Sequence, residues 1–100
     1  MDYRLSPEAE RDLEDVFLYG LEQWGEERAV SFLLALYDRF QWLSNNPQIA
    51  PIRQDLEPRI YRSWVETPYV IFYRVNEAQI DILAIIHGKR DIVEHFRSKS

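Results

Sequence analysis

Cysteine is absent from the 100-residue chain, which removes a disulfide framework, a thiolate nucleophile and any cysteine-ligated zinc site in one step. Long hydrophobic runs are missing too: the longest, Phe32 to Tyr37, falls far short of a membrane span. Met1-Asp2-Tyr3-Arg4 lacks the charged-then-apolar layout of a signal peptide. These absences predict a cytoplasmic protein with no membrane partner. Positive charge is also scarce, with 12 Lys and Arg against 17 Asp and Glu and a net charge of −5. Nonspecific affinity for nucleic acid comes mostly from counterion release by clustered cations, so wholesale coating of DNA or RNA is excluded and no direct sequence-specific nucleic-acid binding is expected.

What is present suffices for one domain over residues 1–100. A chain of this size buries only about 65% of the surface it exposes when unfolded, yet 46% of its residues are hydrophobic and 14% aromatic, too many for intrinsic disorder. The charge divides unevenly. Residues 1–50 hold ten acids and four arginines, for −6, and residues 51–100 hold seven acids and eight bases, for +1, which together give the −5 of the whole. The two halves therefore present different surfaces.

Tyr3-Arg4-Leu5 reads as a short strand. Ser6-Pro7-Glu8 then starts a helix, with a hydroxyl at the N-cap, proline in the first turn and acids at the positive end of the dipole. Ala9, Leu13, Val16, Phe17, Leu21 and Trp24 recur at intervals of three and four until Gly25 closes the helix. A second helix opens near Glu26, carries Ala29, Phe32, Leu33, Leu36, Phe40 and Leu43, and stops at Asn45-Asn46-Pro47. Joined at one glycine, the two form an antiparallel hairpin. Pro47 to Pro58 is a loop. Arg59 to Glu66, Tyr69 to Val75 and Gln79 to His87 alternate with a period of two and are rich in β-branched and aromatic residues, which predicts three consecutive antiparallel strands. Asp91 to Phe96 reads as one short helical turn and Ser98-Lys99-Ser100 as a frayed end. The expected fold is α+β, of order β-α-α-β-β-β, an antiparallel sheet covered on one face by the helical hairpin.

The last two strands are apolar on both sides, with Tyr69, Ile71 and Tyr73 set against Val70 and Phe72, and Ile80, Ile82 and Ile86 against Leu83 and Ile85. Two helices cover only one side. Either a partner covers the other, or Trp42, Trp64 and the tail fold over it.

Leu5-Ser6-Pro7-Glu8-Ala9, Asp12-Leu13, Tyr19, Trp24-Gly25, Ala29, Asn46-Pro47, Arg53, Ile71-Phe72-Tyr73-Arg74 and Ile86-His87-Gly88-Lys89-Arg90-Asp91 together resemble the ParE branch of the ParE/RelE toxins of bacterial toxin-antitoxin modules. The resemblance runs from about Tyr3 to Phe96. It implies the same element order, neutralisation by a tightly bound antitoxin, ParD-like or related, and for the ParE branch an attack on DNA gyrase rather than cleavage of a substrate. The sibling RelE branch uses the fold as a ribosome-dependent messenger-RNA endonuclease. Such cleavage needs a base for the 2′-hydroxyl, an acid for the leaving oxygen and cations for the phosphate. Arg59, Arg62, His87 and Arg90 are the residues this alternative would use; the bland reading makes them solvated or paired strand-edge residues. Acidic helices, a loop whose Arg53 stands among Asp55 and Glu57, and Phe96 near the place where RelE-like nucleases often carry a tyrosine favour the noncatalytic branch. No catalytic residue and no cofactor are then expected. A third possibility is a degenerate partner that binds antitoxin without toxicity.

Two sets of contacts follow. Antitoxin, as a helix in a groove, an added strand or both, would meet Phe17, Leu21, Leu36, Phe40, Val70, Phe72, Leu83 and Ile85. The target would meet the basic edge of Arg53, Arg59, Arg62, Lys89 and Arg90. His87, Asp91 and His95 would stack as metal ligands only on one continuous helix. Gly88 interrupts it, so no metal is expected. Trp24, Trp42 and Trp64 read as core or interface anchors, since no basic groove surrounds them for base stacking.

Overall fold

A computed structural model describes residues 1–97; the expected fraying of Ser98-Lys99-Ser100 lies outside them. The chain forms β1 (Asp2–Leu5), α1 (Pro7–Trp24), α2 (Glu26–Asn45), β2 (Arg62–Glu66), β3 (Tyr69–Val75), β4 (Gln79–His87) and α3 (Ile92–Arg97), with one 3-10 turn at Gln54–Leu56. Ser6 caps α1 as its sequence announces: its Oγ accepts from the Ala9 N–H at 3.0 Å and donates to the Leu83 carbonyl at 2.9 Å. One side chain thus starts a helix and fastens it to β4. Gly25 adopts φ +88° between the two helices, a conformation that only glycine takes without strain. Gly20 lets the helices close on each other, since a Cβ there would stand 3.2 Å from that of Ala29. Among the described residues no helix is long and apolar enough to cross a membrane.

The sheet order is β1-β4-β3-β2. The last three strands are antiparallel neighbours, as expected. The first strand departs from the all-antiparallel expectation: β1 pairs with β4 in parallel, from Asp2 opposite Gln79 to Leu5 opposite Ile82, which makes the sheet mixed. The second predicted strand begins at Arg62 rather than Arg59, because Leu56 is buried and the Arg59 N–H turns back to the Leu56 carbonyl at 3.1 Å. Residues 51–53 instead lie along the start of β2, bonded through Arg53 N–H to Tyr61 C=O and Ser63 N–H to Pro51 C=O.

Both faces of the sheet are buried, and the chain covers both itself. Against the hairpin pack Tyr69, Ile71, Tyr73, Ile80, Ile82 and Ile85. Behind them Val70, Phe72, Ala84 and Ile86 pack with Leu56 of the loop and Phe96 of α3, and Phe96 meets the Phe72 ring at 5.1 Å and the Tyr61 ring at 5.3 Å. The tail reading is therefore the right one, with the loop as its accomplice. Trp42 and Trp64 play no part in it: their rings meet at 5.0 Å on the hairpin side, and Arg39 lies over both at 4.8 and 5.3 Å while bonding Glu66 at 2.8 Å. One strand facing also needs correction. The register shifts so that Phe72 faces Ala84 while Tyr73 faces Ile82, leaving Leu83 as an extra residue. Such a bulge exchanges the faces beyond it, so Ile85 joins Ile80 and Ile82 on the hairpin side and Ile86 lies opposite them.

Candidate functional site

Of the five cations expected to form a basic edge, the fold commits two to its own architecture. Arg62 donates to the Ala50 carbonyl at 2.7 Å and the Gln48 carbonyl at 3.3 Å. With Tyr73, whose hydroxyl donates to Pro47 C=O at 3.0 Å, it pins the long loop to the sheet. Arg53 makes two bonds to Asp55, at 2.9 and 2.6 Å, and lies over the Phe72 ring at 5.5 Å. Its hydrogen bond holds the Asp55 carboxyl below the ordinary aspartate range. Lys89 and Arg90 remain exposed on the turn after β4, and Arg59 is partly exposed near Val93 and Arg97 of α3.

The four residues of the ribonuclease alternative do not converge. His87 pairs with Tyr69 at one end of β3, whereas Arg62 pairs with Tyr73 four residues along it, or about 13 Å at strand rise. The His87 ring packs edge-on against Tyr69 at 5.5 Å, and its Nδ1 accepts from the Lys89 N–H at 3.1 Å. Arg90 reaches toward α3, with Nη2 3.4 Å from His95 Nδ1, while His95 Nε2 lies 2.8 Å from the Glu8 carboxylate. His87 thus ends a strand while His95 sits on a separate helix, and the two do not share a face with Asp91.

The expected antitoxin contacts divide by burial. Leu36, Phe40 and Phe72 are fully buried, and Val70 and Ile85 nearly so; the free fold does not offer them to a partner, because the hairpin, the loop and α3 already occupy them. Phe17, Leu21 and Leu83 are partly buried. The apolar side chains that do reach solvent on the hairpin are Leu18, Tyr19, Val30, Leu34 and Tyr37. Val30, Leu34 and Tyr37 stand at i, i+4 and i+7 and so share one stripe of α2. The signal for them was available: Ala29, Val30, Phe32, Leu33, Leu34, Leu36 and Tyr37 span more of the helix than a single core-facing stripe of about 100° requires. On the open edge of the sheet, Val65 of β2 is 66% exposed.

A cavity of about 300 Å³ opens where α1 crosses the end of β4. Asp12, Asp15, Val16 and Tyr19 form its α1 wall, Tyr69, Ile85 and His87 its floor, and Arg90 its lip. Its origin is topological. β1 stops pairing at Ile82, which leaves the following edge of β4 bare, and α1 caps that edge: Ser6 Oγ donates to Leu83 C=O, and Asp12 Oδ2 accepts from the Ile85 N–H at 2.9 Å. Burial pushes the Asp12 carboxyl above its ordinary range; the Ile85 N–H pulls it back, Glu8 pushes it further, and His95 and Arg90 oppose that. The folded state therefore binds this proton more tightly than the unfolded state, and stability falls as pH rises from the ordinary aspartate value, about 3.9, through the raised one. Urea denaturation across that window should show the fall in the wild type and lose it in Asp12→Asn; parallel profiles would refute the assignment.

The family described as ParE toxin of type II toxin-antitoxin system, parDE, matches residues 3–92. A Toxin ParE1 of Caulobacter vibrioides is 28% identical over 93 residues, covering 93% of this chain and 95% of its own. A Toxin ParE1 of Mycobacterium tuberculosis is 30% identical over 91 residues, covering 90% and 92%. Among solved structures, the chromosomal ParDE TA system from P. aeruginosa superposes with a TM-score of 0.70 at 22% identity, over 87% of this chain and 95% of that one, a likeness of fold.

Proposed function

The chain belongs to the ParE toxin family of type II toxin-antitoxin systems, and from that premise we propose that it arrests growth in the cytoplasm by binding DNA gyrase through Arg59, Lys89 and Arg90, without cleaving a substrate. A cognate antitoxin, ParD-like in kind, holds it inactive from the helical side. The observation that carries the noncatalytic reading is the separation of Arg62 from His87 by four residue positions of β3, with the Arg62 guanidinium engaged by the Gln48 and Ala50 carbonyls. A ribonuclease centre needs its base and its phosphate clamps within hydrogen-bond reach of one nucleotide linkage. The antitoxin surface is assigned to the exposed stripe of Val30, Leu34 and Tyr37 with Leu18, bordered by the half-buried Phe17 and Leu21. It suits the apolar face of an amphipathic helix.

Purified protein should impair supercoiling by gyrase and leave messenger RNA intact on programmed ribosomes. His87→Gln should keep most of the growth inhibition, whereas the loss of a general base would lower cleavage by about 10²- to 10⁴-fold. New RNA ends that vanish with His87→Gln would replace the gyrase reading with the ribonuclease one.

A further inference from the structure

We infer that the cavity between α1 and the end of β4 receives one lysine or arginine side chain of the antitoxin. The inference rests on the antitoxin reading above and adds to it the chemistry of one anchor. The cavity, at about 300 Å³, lies at the low end of the range for small-ligand sites, which suits a single long side chain rather than a folded segment. Its α1 wall carries two carboxylates one turn apart, Asp12 and Asp15, and below them Tyr19 and Tyr69 supply aromatic surface.

Asp12 is held in place, because Oδ2 accepts from the Ile85 N–H at 2.9 Å. Among the described residues nothing donates to its other oxygen, and no buried polar side-chain atom goes unpartnered, so that oxygen remains open to an incoming donor. The carboxyl already bears a desolvation cost in its charged form, and a cation brought against it would offset that cost. Arg90, the one permanent cation of the lining, is exposed at the lip and turned toward His95 on α3; it leaves the depth of the cavity to the carboxylates and the tyrosine rings. A guanidinium or ammonium there gains both charge pairing and cation-π contact.

The antitoxin is the source because the cavity wall adjoins, along α1, the hairpin surface assigned to it. Tyr19, on the cavity wall, is the immediate neighbour of Leu18, and both are about half exposed, at 47% and 53%. A helix lying over Leu18 and the α2 stripe can therefore send one long basic side chain over the shoulder of α1.

The test uses the whole chain, with Nα-acetyl-arginine methylamide and Nα-acetyl-glutamate methylamide as probes, followed by NMR of Tyr19, Tyr69 and His87. Cognate antitoxin is titrated by calorimetry in parallel. The arginine probe should shift these signals and the glutamate probe should not. Asp15→Asn, which leaves the Asp12 anchor intact, should weaken both the arginine probe and the antitoxin by up to about fivefold, the worth of an accessible ion pair, and Arg90→Ala should tighten the probe by removing a competing cation. Binding of the glutamate probe, lost in Arg90→Ala, would make this an anion site and overturn the inference. Equal antitoxin affinity for wild type and Asp15→Asn would overturn it while leaving the antitoxin reading in place. An antitoxin that fails to bind wild type takes down both.

Discussion

Phe72→Ala should cost about 3–5 kcal/mol of folding stability, enough to leave a domain of this size close to unfolding. Phe72 is fully buried and packs in the second core, where the Phe96 ring approaches it at 5.1 Å and the Arg53 guanidinium lies over its ring at 5.5 Å. Truncation would remove the transfer free energy of the ring and leave a hole that Leu56 and Ala84 are too constrained to fill. It would also loosen α3, whose buried contact with the sheet is made through Phe96. Urea denaturation is the direct measurement. The outcome also separates two roles that an affinity assay alone would confuse. Lost antitoxin binding by Phe72→Ala would report a disordered fold, whereas Leu34→Ala on exposed α2 surface should weaken the antitoxin and leave the denaturation midpoint nearly unchanged. A Phe72→Ala protein as stable as wild type, yet unable to bind antitoxin, would restore Phe72 to the interface.

How far the fold was legible follows from the range of the interactions that decide it. α1 could be read from Ser6, Pro7 and Gly25 because caps and left-handed turns are local devices. The strands after the loop could be read because their period is local too. The bulge at Leu83 could not: Ile82 to Ile86 is apolar on both faces, so a slip of one residue there changes no hydrophobicity along the strand, and only the pairing with Phe72 and Tyr73 reveals it. The parallel pairing of β1 was hidden for a similar reason, since a strand of four residues carries no mark of its neighbour. The cavity was the least visible feature. Asp12 and Asp15 look like any solvated pair on the polar face of α1, and Asp12 gains its meaning from an amide 73 positions away. The basic edge was legible only as composition. Arg62 and Arg53 count as cations in the sequence, and it takes the loop carbonyls and Asp55 to show that their charge serves the scaffold.

That division sets the last expectation. Reversing Arg59, Lys89 and Arg90 together to glutamate changes the charge of the proposed gyrase-binding edge by six units. Like-charge contacts at an interface cost several kcal/mol, so gyrase inhibition should fall by at least about 100-fold. The folded state should barely notice, because surface ion pairs are worth about 0–1 kcal/mol each and Lys89 and Arg90 are exposed. Arg62→Ala should behave in the opposite manner. It removes the donor that the Gln48 and Ala50 carbonyls share and should lower stability by about 1.5–3 kcal/mol, the range for hydrogen bonds to a charged group, with inhibition by the molecules still folded close to normal. Thermal denaturation beside a supercoiling assay reads both quantities on the same preparations. Full inhibition by the triple variant would show that the basic edge is incidental to toxicity. Loss of inhibition by an Arg62→Ala protein of unchanged stability would show that its guanidinium leaves the loop carbonyls to meet the target, and would return Arg62 to the binding surface.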